Sequence, residues 1–252
     1  MGIEFDWSIL LIVLPFVFLG GFIDSISGGG GIFTVVGMMI AGLPMHMVIG
    51  TNKTSALFGT AAATKNYIKN GYYEKKYIPF SAIAGIIAAF LGSYLGNVMS
   101  NETLTKLMTF AIPIVGIIML IGFRPKEQNI TYSDQKIYLL SALVGGLVGF
   151  YDGLIGPGGG TFYIIGFTLI GLNLLQANGN AKIVNLVSNI VSAFIFLFKG
   201  RVVIWLVIPC IITSVIAGHL GSSLVIKNGD KIVKPAVVMV IILLIIKSVF
   251  KF

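Results

Sequence analysis

Apolar runs of bilayer length follow one another from one end of this chain to the other. Ten can be read: Trp7–Ile23, Ile32–Val48, Lys53–Ile68, Tyr77–Met99, Leu104–Phe123, Lys136–Tyr151, Thr161–Leu175, Lys182–Phe198, Val202–Ile226 and Ile232–Phe250. A hydrocarbon core about 30 Å thick takes about 20 helical residues to cross. Charge or turn residues separate the runs, leaving short loops. Only 10% of the residues are charged, against about 25% in soluble domains. A globule of this length has too much surface to hide so much apolar side chain from water, so lipid must be the second solvent. The runs show no period-two alternation, which predicts helices rather than the strands of a membrane β-barrel. Ile32–Val48 and Thr161–Leu175 are short and follow glycine clusters, so their lengths fit half-helices or re-entrant segments as well as crossings. The chain then crosses eight or ten times.

The net charge of +8 does not point to nucleic acid. Lys and Arg fall mainly between apolar runs, where they meet anionic headgroups. Cys210 is the only cysteine, which excludes an internal disulfide and a thiolate metal cluster. The stretch Met1–Asp6 carries Glu4 and Asp6 and no basic residue, unlike a secretory signal. The first apolar run is therefore expected to remain in the mature protein.

The chain repeats itself at an offset of 129. Gly30 and Gly31 meet Gly159 and Gly160, Phe33 meets Phe162, and Gly37 meets Gly166. Further along, Gly50, Lys53, Gly71, Gly92 and Ser93 meet Gly179, Lys182, Gly200, Gly221 and Ser222. A one-residue gap upstream brings Asp24 onto Asp152. One offset holding over this span predicts a duplication, with a first membrane repeat in residues 1–125 and a second in 126–252. Basic residues flank three loops: Lys65, Lys69, Lys75 and Lys76; then Arg124, Lys126 and Lys136; then Lys227, Lys231 and Lys234. The positive-inside rule puts these loops in the cytoplasm and the N-terminus outside. Lys199, Arg201, Lys247 and Lys251 fall on the wrong side. The halves are expected to have opposite orientation, a transporter plan in which substrate binds where they meet. The fold class is an all-α membrane protein of two inverted repeats, each of about five helical segments.

Two pairs of motifs could carry chemistry. Gly28, Gly29, Gly30 and Gly31 follow Asp24, while Gly156, Pro157, Gly158, Gly159 and Gly160 follow Asp152. Glycine costs about 1 kcal/mol relative to Ala in a helix, and proline has no N–H to give. Both clusters therefore predict breaks at membrane depth, where open backbone is tolerable only if buried or lining a cavity. Bare N–H groups ahead of a helix N-terminus suit an anion; close packing through small residues is the alternative. The second pair is Thr51-Asn52-Lys53 and Asn180-Ala181-Lys182, the latter followed by Asn185, Ser188 and Asn189. Each is expected to open a helix with capping polar groups. Lys53 and Lys182 would neutralise an anion, or else snorkel to headgroups. Asn185 and Asn189 share a helix face with Ser188. Asp24 and Asp152 either relay protons or accept bonds from loop N–H groups, the role favoured here.

Other patterns are set aside. His46 and His219 have no partners at metal-ligand spacing, so neither a metal nor any other cofactor is expected. No nucleotide-binding glycine-lysine loop is present. Asn52, Asn101 and Asn129 start three-residue glycosylation patterns that arise often by chance.

The paired glycine clusters resemble those of the TauE/SafE sulfite exporter family, also called TSUP. The stretches Gly50-Thr51-Asn52-Lys53 and Asn180 through Asn189, followed by Phe198-Lys199-Gly200-Arg201-Val202, extend the resemblance over nearly the whole chain. The first cluster departs from the family's spacing, with Ser27 where a glycine is expected. The resemblance implies a secondary transporter of sulfur-containing or organic anions such as sulfite, thiosulfate or a sulfonate, without an ATP-driven engine and without enzymatic activity.

The combined expectation is a multi-pass protein of the cell (cytoplasmic) membrane that works by alternating access. Its partners would be a small anionic substrate and membrane lipid, with homo-oligomer formation left open. A passive anion channel is the first alternative and an intramembrane enzyme the second. Lys182→Ala is expected to impair transport while leaving folding intact.

Overall fold

The computed structural model describes residues 4–121 and 132–228. The expected run Ile232–Phe250 and the basic residues Arg124, Lys126, Lys231, Lys234, Lys247 and Lys251 lie outside the described residues. The helices are α1 Trp7–Ser27, α2 Gly31–Ile40, α3 Met45–Lys69, α4 Ile78–Val98, α5 Asn101–Ile121, α6 Asp134–Leu154, α7 Gly159–Leu169, α8 Leu174–Phe198 and α9 Ile204–Asn228. A 3-10 turn, Lys75–Tyr77, leads into α4. Among the described residues there is no strand.

Among the described residues, five segments are long and apolar enough to cross a membrane: α1, the 3-10 turn with α4, α6, α8 and α9. α3 has 25 residues, about 37 Å at 1.5 Å per residue, but carries Lys53, Lys65 and Lys69. α2 and α7, with 10 and 11 residues, are the short helices expected after the glycine clusters.

The starts of α3 and α8 differ from the reading of the sequence. Each begins eight residues before its lysine, at Met45 and Leu174. Thr51, Asn52, Lys53, Asn180 and Lys182 are therefore interior helical residues and cap nothing. Asn173 caps α8, its side chain accepting from the Gln176 N–H at 2.9 Å. Gly50 and Gly179 do not end these helices, because they serve close approach instead. A Cβ on Gly50 would lie 2.1 Å from the Arg201 carbonyl oxygen, and one on Gly179 1.6 Å from that of Tyr72.

Helices from either side of the expected repeat boundary pack together. α1 lies beside α9, and α4 beside α6. Both seams use small residues, as expected where lipid offers no hydrophobic drive and van der Waals contact must hold the helices together. Along α4 and α6, Ser81 faces Gly145, Gly85 faces Gly149 and Ala89 faces Gly153, so these helices run in the same direction. α1 and α9 do likewise, with Gly21 against Ser214 and Ala217, and Phe22 against Gly221. α3 and α8 cross in opposite directions: Gly50 meets Phe196 while Gly179 meets Tyr67. Large apolar side chains such as Leu11, Phe90, Phe110, Leu147, Phe194 and Ile212 point outward, which suits hydrocarbon. The interior of α3 and α8 is polar instead, with Thr51, Asn52, Lys53, Asn185, Ser188 and Asn189 buried.

Candidate functional site

The site is built on the two helix breaks. α1 stops at Ser27, and Gly28 turns the chain with φ 71°, a left-handed conformation that favours a residue without Cβ. α6 stops at Leu154, and Gly158 enters α7 with φ 88°. The two breaks touch. A Cβ on Gly28 would lie 2.3 Å from the Gly160 carbonyl carbon, and one on Gly160 2.9 Å from the Gly28 Cα. The Thr161 hydroxyl donates across the junction to the Ser27 carbonyl at 3.2 Å. The N–H groups of Gly30, Gly31, Gly160 and Thr161 stand at the junction, where α2 and α7 begin. They belong to the first positions of α2 and α7, which intrahelical bonds cannot satisfy.

Beside the breaks lie two ion pairs, each joining a lysine of one half to an aspartate of the other. Lys53 Nζ is 2.7 Å from Asp152 Oδ2, and Lys182 Nζ is 2.7 Å from Asp24 Oδ2. Lys182 also donates to the Asp24 backbone carbonyl. The first pair belongs to a closed ring. Lys53 donates to Asn189 Oδ1 at 3.2 Å, Asn189 to Asn185 Oδ1 at 3.1 Å, and Asn185 to Asp152 Oδ2 at 3.2 Å. The lysine side chains are 2% and 0% exposed.

Two readings of these residues are overturned by this geometry. The alternative that the lysines snorkel fails, since both ammonium groups are enclosed by protein. Each ammonium is matched by a carboxylate. The aspartates are not mainly acceptors of loop N–H groups; their carboxylates bind lysine, and in Asp152 also the Asn185 amide. Cross-half pairing was hidden from the sequence because it joins residues far apart in the chain, Lys182 and Asp24 by 158 positions.

A cavity of about 50 Å³ opens against this junction. One water needs about 10–15 Å³ by the same measure, so the space takes a few such groups. Of the expected residues, Gly31, Asn52, Lys53, Asp24, Asp152, Gly156, Gly158, Gly160, Asn185 and Asn189 line it. Gly28, Gly29, Gly30, Pro157, Gly159 and Lys182 form the surrounding frame without lining it. Pro157 accepts from the Tyr151 hydroxyl at 2.6 Å, and Lys182 is held by Asp24.

Thr51 and Asn180 lie elsewhere. The Thr51 hydroxyl accepts from the Val203 N–H at 3.1 Å. The Asn180 amide binds the Glu74 N–H and carbonyl at 2.8 and 3.1 Å. At the repeat offset these are equivalent positions, and each clamps the loop that follows the long central helix of the opposite half. The cavity adds residues that sequence reasoning missed: Ser25, Thr34, Ser55, Thr60 and Ser214. Ser55 and Thr60 fall on the face of α3 that holds Lys53 and Asn52, so helical periodicity would have found them. Thr34 and Ser214 had no such signal.

Helices of spanning length, a polar interior and broken helices meeting at a small polar cavity define a polytopic membrane transporter. Residues 13–248 match the description "Sulfite exporter TauE/SafE", and the chain belongs to that family. It is 34% identical over 247 residues to "Probable membrane transporter protein ORF9" of Sinorhizobium sp., covering 96% of this chain and 94% of that one. It is 32% identical over 236 residues to "Probable membrane transporter protein YfcA" of Escherichia coli K12, covering 92% and 87%. A "Probable membrane transporter protein" of Haemophilus influenzae is 31% identical over 252 residues, covering 99% and 97%.

Proposed function

We propose that this protein is a secondary carrier of a small sulfur-containing or organic anion in the cell membrane, and that it works by alternating access between two inverted repeats. The observation that carries the reading is the cavity at the junction of both glycine breaks, lined by the Lys53–Asp152 pair. The opposed directions of α3 and α8 support the inversion, since equivalent helices of inverted halves must run opposite ways. The half-helices offer the anion their N-terminal N–H groups, and Asn52, Asn185 and Asn189 add amide donors.

The lysines are already paired, so the anion does not meet bare positive charge. It competes with Asp152 for Lys53. Displacing an ionised Asp152 would leave a buried unpaired carboxylate, which is expensive. A proton on Asp152 removes that cost and frees Lys53 for the substrate. The anion and a proton are therefore proposed to move together, with Asp24 and Lys182 the matching pair in the other half. The protein supplies charge and hydrogen bonds and performs no covalent chemistry.

The test uses purified protein in liposomes loaded with sulfite, thiosulfate, a short sulfonate or a short carboxylate. A carrier takes up labelled anion faster when the same anion is present on the far side, and the uptake carries protons. Flux without this trans-stimulation would mean a channel. A chemically altered product would mean an enzyme.

A further inference from the structure

The cavity extends from the junction to Thr34 of the first half, and Tyr163 stands at the repeat-related position of the second. Thr34, Gly59 and Ser214 line the cavity, with Gly21 from α1. The offset of 129 carries Gly59 onto Ser188, Gly85 onto Ser214 and Thr34 onto Tyr163; the gapped offset carries Gly21 onto Gly149. The structure keeps these relations. Gly59 lies against Ser214, and its equivalent Ser188 lies against Gly85. In the second half the Tyr163 hydroxyl reaches into this set. It is 3.0 Å from Ser188 Oγ, and a Cβ on Gly149 would lie 3.2 Å from it. Tyr163 is fully buried at 0% exposure. The cavity lies beside the threonine of the first half, and the second half carries a buried tyrosine at that position.

We propose that Tyr163 is the plug of the second half-site: its ring occupies the repeat-related counterpart of the cavity and blocks access from the opposite membrane face. This rests on the carrier reading above. In a carrier with two inverted halves, opening both half-sites at once would make a continuous leak. The buried Tyr163–Ser188 contact keeps the second half-site shut while the first is open. When the halves rock, the ring must leave this position before the second face can open.

Thiol labelling tests the plug without knowing the substrate. Cys210, the only cysteine, is replaced by Ala, and Ser188→Cys is introduced. Membrane vesicles of both orientations are treated with a small cationic methanethiosulfonate. With Tyr163 present, labelling of position 188 is slow from both faces. With Tyr163→Thr it is expected to be at least about tenfold faster from one face, as for a buried group that becomes open to water. Tyr163→Phe keeps the ring and stays slow.

The converse change guards against a misfolded variant. With Thr60→Cys as the reporter, Thr34→Tyr fills the first cavity and slows labelling by about tenfold, by the same closure of a polar space. Equal rates at position 188 with Tyr163 and Tyr163→Thr in folded protein would overturn the plug. Unchanged labelling of Thr60→Cys after Thr34→Tyr would do so too. A protein that fails trans-stimulation but shows the predicted labelling would lose the carrier reading and keep Tyr163 as the side chain that shuts the second half-site.

Discussion

Removing both charges of the Lys53–Asp152 pair should cost less than the sum of removing each alone. Lys53 and Asp152 are 2% and 3% exposed, with 2.7 Å between the charged atoms. Lys53→Met leaves a buried carboxylate held by the Asn185 amide at 3.2 Å. Breaking a buried pair in this way costs about 3–5 kcal/mol. For a chain of this size, 1 kcal/mol moves Tm by about 2–4 °C, so a fall of roughly 6–20 °C is expected. Asp152→Asn orphans the ammonium instead and should fall within the same range. In the double variant Lys53→Met/Asp152→Asn neither charge of this pair is left, and the amide oxygen introduced by Asp152→Asn can still accept from Asn185. It should recover about 2 kcal/mol relative to the sum of the single changes, within the coupling seen for contacting residues. Thermal unfolding of the four purified proteins in one detergent closes the cycle. Single variants within about 2 °C of wild type, a threshold set at about half a kcal/mol, would refute the argument. So would a double variant that falls by the full sum.

Other outcomes follow from the same geometry. Lys182→Ala should lower thermal stability as well as transport, because it strands Asp24; thermal unfolding and uptake check the two effects. Thr51→Ala and Asn180→Ala should each cost about 1 kcal/mol, the usual worth of a buried hydrogen bond, without changing substrate affinity; unfolding and uptake assays separate the two effects. Gly28→Ala should reduce the yield of folded protein, since its Cβ would lie 2.3 Å from the Gly160 backbone and its φ is left-handed; normal size-exclusion profiles and Tm would count against a tight junction. Asn189→Ala opens the ring around Lys53 and should weaken substrate affinity about tenfold, equal to about 1.4 kcal/mol, measured as the concentration for half-maximal uptake.

Apolar runs suited to lipid and helical secondary structure were legible in the order of residues. Run lengths and hydropathy are local quantities, and so is the helix-breaking effect of Gly28–Gly31 and Gly156–Gly160. α2 and α7 start on the last glycines of those clusters, and α3 and α8 keep the offset of 129 along their full length. Helix starts at Met45 and Leu174 were misjudged because the tolerance for Gly50 and Gly179 inside helices comes from neighbouring backbones that touch them. The pairing of Lys53 with Asp152 and of Lys182 with Asp24 emerged only once the helices were packed. Packing also assigned Thr51 and Asn180 to loop clamps, and it set the cavity beside Thr34 while burying Tyr163. Those choices depend on how two halves fit against each other, and ion pairing and cavity shape are properties of that contact rather than of any stretch of chain.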